Sequence, residues 1–332
     1  MGYFVCSTLH DPEGGLAVAA ERLEKPPIKA WFVYATPQTS GETLDRISSY
    51  KWIVLRPKRQ EDQIPNLDPI ESDHVNALQL FVEATHPLSH TVRYIDGDRF
   101  LFGMHFFPDD VEAIISHDKK LGSHGFRYIG HRRSRKAFGS HTTPIRLTES
   151  IIRKVYSELI GFETDPASTS HTFSGDIAIH IVRTAQNERS MRYPHGKWLN
   201  SATTNISITG YGKSKAFTCG NSLGYETALA RHREIIRRRS NPAILTDCQA
   251  LYNAFRETGL QDETEFHEWP QRVELLADWL DFAVKAAETR GQDATKIKET
   301  ASKVKEIDMR QLRRLGTREE MERYCRTILE AL

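Results

Sequence analysis

Few of the features that quickly assign a sequence occur in this chain. It has four cysteines, Cys6, Cys219, Cys248 and Cys325, and no two of them form a C-x-x-C pair. That spacing excludes a zinc clasp or a dithiol redox centre, and scattered thiols in a long chain read as reduced side chains of a cytoplasmic protein. No window approaches the roughly 20 apolar residues of a membrane span. The opening "MGYFVCSTLH" lacks the basic-then-apolar pattern of a signal peptide. Net charge is nearly absent, at +1, so overall charge gives no reason to expect nucleic acid as a partner. No G-x-G-x-x-G follows the first apolar run, which disfavours a dinucleotide oxidoreductase. Internal repeats and low-complexity tracts are missing as well.

What is present is an alternation. "YFVCST" (3–8), "AWFVYAT" (30–36), "KWIVLRP" (51–57), "HTVRYID" (90–96) and "GFRYIGHR" (125–132) read as buried strands. Between them, 73–86 and 108–121 show helical spacing, and 148–162 follows as a helix ending at Gly161. Residues 166–182 read as a small-residue loop feeding a helix or strand, and 203–228 as short strands and turns. From about Thr227 the chain becomes helical and charged. Strands alternating with helices imply an α/β fold with parallel pairing, and ligands in such sheets bind beyond the carboxyl ends of the strands. The expected organisation is a nucleotide-binding domain over 1–230 and a helical extension over 231–332. That extension is amphipathic enough to form a homodimer or meet a membrane surface, and packing on its own domain is the ordinary alternative.

At the end of the fourth strand stands "RYIDGDRF", with Asp96 and Asp98 separated by one glycine. Two hard oxygen donors at a sheet rim suit Mg2+ or Mn2+, which keep several waters and take substrate phosphates as further ligands. A bare D-x-D also arises by chance as a solvated turn. Its context resembles glycosyltransferases of the GT-A fold. "CSTLHDPEGGL", "RYIDGDRFLF", "YIGHRRSRKAF" and "LGYETALARH" are similar in order and spacing to soluble bacterial members that use nucleotide sugars, over roughly residues 1–230. The resemblance implies a mixed, Rossmann-related sheet flanked by helices, and transfer of a sugar from an NDP-sugar to an acceptor (a sugar, small molecule or lipid-linked group). It implies that Asp96 and Asp98 hold the metal on the diphosphate, with His195 as a further ligand. It also places Cys6, Ser7 and Thr8 at the nucleoside and Arg56, Lys58 or Arg59 at the phosphates.

Two acids are candidates for the base that takes the acceptor's proton. Asp176, in "FSGD", reads equally as that base or as a helix N-cap. Glu226, in "GYET", is the second. "GHRRSRK" (130–136) is a basic stretch whose arginine forks suit an anionic acceptor, and it reads also as a solvated loop. Two other classes remain open at this level: a metal-dependent nucleotidyltransferase, and a non-enzymatic nucleic-acid-binding module.

Overall fold

The computed structural model describes residues 2–64, 69–187, 213–218, 248–289 and 291–332. The five apolar runs become β1 (Gly2–Leu9), β2 (Trp31–Ala35), β3 (Ile53–Pro57), β4 (His90–Ile95) and β5 (Phe126–Arg132). Two further strands, β6 (Ser170–Ser174) and β7 (Lys213–Thr218), complete a seven-stranded sheet ordered β3-β2-β1-β4-β6-β5-β7. Neighbours are parallel throughout, except where β6 runs antiparallel to β4 and β5. The architecture is of the expected class, an α/β fold with a mixed sheet flanked by helices and a helical C-terminal part.

Alternation along the strands builds two layers, because successive side chains leave opposite faces of a sheet. Tyr3, Val5, Trp31 and Val33 face one way, and Phe4, Cys6, Phe32 and Tyr34 the other. The first face is covered by α1 (Gly41–Ser48), α3 (Gly97–Phe106) and α4 (Pro108–Ser123), through residues such as Ile47, Phe100, Phe102 and Ile115. The second is covered by α2 (Pro69–Ala84) and α7 (Gly175–Asn187), through Leu78, Phe81, Ile177 and Ile181. The start of α1 falls in a stretch that reads as polar loop. Ser40 caps it by accepting the amide of Thr43 at 3.3 Å.

After β5 come a short α5 (Arg135–Gly139) and the long α6 (Thr143–Ile160), which ends at Gly161 in the left-handed conformation. α6 does not cross the sheet. Its Ile152, Val155 and Tyr156 enter a third core with α9 (Leu260–Thr289), α10 (Thr295–Lys305) and α12 (Arg318–Leu329), around Trp269, Trp279 and Leu280. The short α11 (Met309–Leu312) contributes Leu312 to it. α8 (Cys248–Glu257) instead sends Leu251, Ala254 and Phe255 to the first sheet face. Because α6 provides no crossover, the chain re-enters the sheet from the rim where β5 ended, and β6 must run antiparallel.

β6 is buried although its sequence, "SHTFS", is largely polar, and a buried network of hydrogen bonds compensates. Arg93 gives its Nε and Nη2 to Ser170 Oγ at 3.1 and 2.9 Å, and Ser170 Oγ lies 2.7 Å from His131 Nδ1. His131 Nε2 is 3.0 Å from Asp118, which also accepts from the hydroxyls of Tyr3 and Thr172. Burial pushes the His131 pKa down, against the opposing pull of the Asp118 carboxylate. Among the described residues no helix is long and apolar enough to cross a membrane.

Candidate functional site

Strand order locates the crevice. From β1 the chain moves outward to β2 and β3 on one side, and then returns to place β4 on the other. Order reverses between β1 and β4, so their diverging loops open a cleft beyond their carboxyl ends. Asp96 is the first residue past β4 and the N-cap of α3, and Asp98 lies in the first helical turn, where a negative charge suits the helix dipole. The pair therefore stands at the topological switch point.

Gly97 explains how the acids come so close to β1. A Cβ at this position would lie 2.6 Å from the Thr8 carbonyl oxygen and 3.0 Å from Leu9 Cδ1. No side chain fits, so the start of α3 rests directly on the last turn of backbone in β1. Both aspartates are half-buried. Asp98 Oδ1 accepts the amide of Arg99 at 2.7 Å. Arg99 Nε stands 3.9 Å from Asp96 Oδ2, while its Nη1 donates to the Ser168 carbonyl ahead of β6. A guanidinium thus sits beside the Asp96 carboxylate at the mouth of the crevice.

Asp11 shapes the rest of the rim. Its buried carboxylate accepts the Leu16 amide at 3.0 Å and the Thr43 hydroxyl at 2.5 Å, and its carbonyl accepts the Ser40 amide at 2.8 Å. One side chain so ties the loop after β1 to the loop after β2. The sequence signal for it was the acid opening "DPEGG", a turn or loop after the first strand that by itself names no role for the acid. On the far side, Lys58 Nζ meets Asp73 Oδ1 at 2.6 Å, just past the end of β3. Thr8 Oγ1 and Tyr94 OH are 3.0 Å apart, and the ring of His74 packs on Tyr94.

Several sequence candidates are placed elsewhere. Cys6 is fully buried in the core under α2, where burial pushes its thiol pKa well up. Ser7 is also fully buried, and its Oγ accepts the Trp31 indole at 2.8 Å. Of the three β1 residues, Thr8 alone lies at the crevice. Arg56 is inside β3 and turned to Asp62 at 2.8 Å and Glu83 at 3.8 Å; Lys58 and the exposed Arg59, 4.0 Å from Glu61, follow the strand end.

Asp176 is at the wrong end of the sheet. Ser170 pairs with Ile95 but Ser174 pairs with Thr91, so antiparallel β6 carries the chain about 14 Å away from Asp96 before Asp176 is reached. There Asp176 forms an ion pair with Arg127 at the start of β5, and Gly175 beside it is pressed on the Pro87 carbonyl. His171 is buried, with Nδ1 3.1 Å from Tyr128 OH. His195 and Glu226 lie outside the described residues.

The acid pair fits a hard divalent cation in one particular way. Among the described residues no group of three or more His, Cys, Asp and Glu side chains is placed to hold a metal. Two half-buried carboxylates suit an ion such as Mg2+ or Mn2+ that dehydrates reluctantly and is completed by substrate phosphates and water.

No family model and no curated protein matches the chain. Among solved structures it is similar to glucosyl-3-phosphoglycerate synthase from Mycobacterium tuberculosis, in complex with Mn2+, uridine diphosphate and phosphoglyceric acid. That match is 14% identical, covers 66% of this chain and 69% of that one, and has a TM-score of 0.42. It is also similar to S. aureus TarS 1-349, at 13% identity over 98% of this chain and 92% of that one, with a TM-score of 0.37. The same fragment in complex with UDP-GlcNAc gives a TM-score of 0.35. These likenesses concern chain path alone.

Proposed function

We propose that this chain is a metal-assisted glycosyltransferase that moves a sugar from an NDP-sugar to an acceptor hydroxyl. One observation carries the reading: two carboxylates sit at the β1/β4 switch point, held there by a glycine that no other residue can replace without displacing α3. When bound, a divalent cation would neutralise the diphosphate and stabilise it as a leaving group. Asp96 and Asp98 supply oxygens to that cation. Arg99 is the adjacent protein cation, and Lys58, fixed by Asp73, lies on the β3 side of the crevice. Thr8 and the loop buttressed by Asp11 border the space for the nucleoside. His195 as a further ligand and Glu226 as the acceptor's base complete the proposal, and Asp176 takes no part in it.

Thermal shift with UDP, GDP and their sugar conjugates, each with and without Mn2+, tests this directly. The uridine nucleotides come first, since the two similar proteins were crystallised with them. Stabilisation that needs both metal and one nucleotide, and that disappears in Asp98→Ala, is the expected result. Nucleotide binding that survives Asp98→Ala with its metal dependence intact would overturn it.

A further inference from the structure

A separate, largely apolar cavity edged by arginines lies outside the crevice between β1 and β4. It has a volume of about 380 Å3 and is bordered by Arg135 and Phe138 of α5, Arg146, Leu147 and Ser150 of α6, and Arg326 of α12. Among the described residues no carboxylate borders it. Two other cavities differ in this respect: one sets Arg256 and Arg318 against Glu257 and Asp262, and another sets Lys154, Lys296 and Lys303 against Glu158 and Glu299.

The three arginines differ in how much charge they have to offer. Arg326 is engaged by Glu322 at 2.6 Å and by Glu330, and serves as a wall. Arg146 gives Nη2 to the Thr143 hydroxyl at 3.1 Å, and among the described residues its Nε has no acceptor and it meets no carboxylate. Arg135 is exposed and makes no ion pair among the described residues. Two guanidinium groups therefore point their unbalanced charge at one small cavity.

The Phe138 side of the cavity is held in place: the guanidinium carbons of Arg133 and Arg153 lie over its ring at 4.9 and 4.7 Å. Arg133 is itself fixed by paired bonds of 2.9 and 2.7 Å to Asp165. A planar guanidinium fork matches the oxygens of a phosphate, and fixing the surroundings in advance lowers the ordering cost of binding. α5 starts three residues past the end of β5, and β5 lies two strand spacings, about 10 Å, from β4.

From this arrangement we infer that the Arg135–Arg146 cavity binds a phosphoester group carried by the acceptor, so that the acceptor substrate is anionic. The inference rests on the glycosyltransferase reading for the word acceptor, but the phosphate site stands on its own residues. Leu147 and Phe138 give the cavity an apolar side for the carbon skeleton that bears the phosphate.

Calorimetric titration of the full chain at low salt with glycerol 3-phosphate, glycerol and UDP tests it. Three proteins are compared: wild type, Arg135→Glu, and Arg135→Gln/Arg146→Gln. Arg135→Glu removes an exposed side chain with no ion pair, so it keeps the fold. Glycerol 3-phosphate should bind wild type, glycerol should not, and each variant should lose affinity roughly tenfold or more, since hydrogen bonds to charged groups are the strong ones. Metal-dependent UDP binding should be unchanged in both variants. Equal binding of glycerol and its phosphate, or phosphate binding unmoved by the variants, would overturn the inference. Loss of UDP binding in place of ester binding would assign the cavity to the donor and overturn it equally. Ester binding that the variants abolish, in a chain that binds no nucleotide at all, would leave the phosphate site standing and refute the glycosyltransferase reading instead.

Discussion

Arg133 is the most deeply committed charge in the molecule. Its side chain is fully buried, yet it meets Asp165 through two bonds and Glu149 at 2.6 Å, and Glu149 in turn meets Arg272 of α9 at 3.4 Å. Burial alone would raise the Asp165 pKa, but the charge and hydrogen bonds of Arg133 outweigh it and bring the carboxyl down to about 2. A folded pKa below the unfolded value of about 3.9 means stability that is complete above that pH and is lost as pH falls through 4 towards 2. Asp165→Asn should cost roughly 3–5 kcal/mol at pH 7, because it leaves much of a buried charge uncompensated. Urea midpoints at pH 7 and pH 3 check this: the gap between wild type and variant should narrow at the lower pH, and an unchanged gap would show that pairing is not its source. At this scale the sequence was informative where chemistry is local. Asp96 and Asp98 could be read as a unit because one residue separates them. Cys6, Ser7 and Arg56 could not be assigned, since whether a strand residue meets the crevice, the core or an ion pair depends on facing and depth.

Gly97 belongs to the scale of elements, because it sets the distance between α3 and β1. Gly97→Ala would put a methyl group 2.6 Å from the Thr8 carbonyl, a contact with backbone that cannot rotate away. The helix start must shift, and the expected cost is about 1–3 kcal/mol, as for other overpacked sites. Metal-dependent nucleotide binding should fall much further than stability does, because a carboxylate displaced by an ångström no longer completes its ligand set. Comparing the melting temperature with the nucleotide-induced shift separates the two effects. Elements with apolar runs were legible: β1 to β5 and the long helices follow from pattern. β6 was ambiguous, because apart from Phe173 its buried residues are hydroxyls and a histidine: Ser170 and Thr172 serve the Arg93–Asp118 network, and His171 meets Tyr128. That one ambiguous strand also displaced Asp176, which parallel alternation would have put beside Asp96.

At the scale of the whole molecule, α6 joins what the sequence divides. It arises within the first 230 residues yet packs its apolar face on α9, and Arg133 and Arg272 both bind Glu149 upon it. The helical core and the sheet should then unfold together. Leu280→Ala, far from the sheet and fully buried, should cost about 2–5 kcal/mol. The midpoints from tryptophan fluorescence and from far-ultraviolet circular dichroism should move by the same amount, with the slope unchanged. Two separated transitions in the variant would show that α6 does not couple the two cores. The extension was legible as helical from its periodicity, but its third core could not be, since one wall of that core, Ile151 to Leu159, lies in a helix about a hundred residues upstream.

The reversed strand also has a consequence for the nascent chain. Among the described residues β5 pairs with β6 and β7 and with no earlier strand, and the outer edge of β4 is closed by β6. A ribosome that has released Arg132 must add a further forty or so residues before Ser174 is available, which takes on the order of seconds at ordinary elongation rates. Throughout that interval the outer edge of β4 lacks its partner and β5 has no strand to pair with, and unpaired strand edges are prone to pairing with a neighbouring chain. Production of this protein is therefore most vulnerable during synthesis, and a pause between codons 132 and 170 is the place where slow translation would do it most harm.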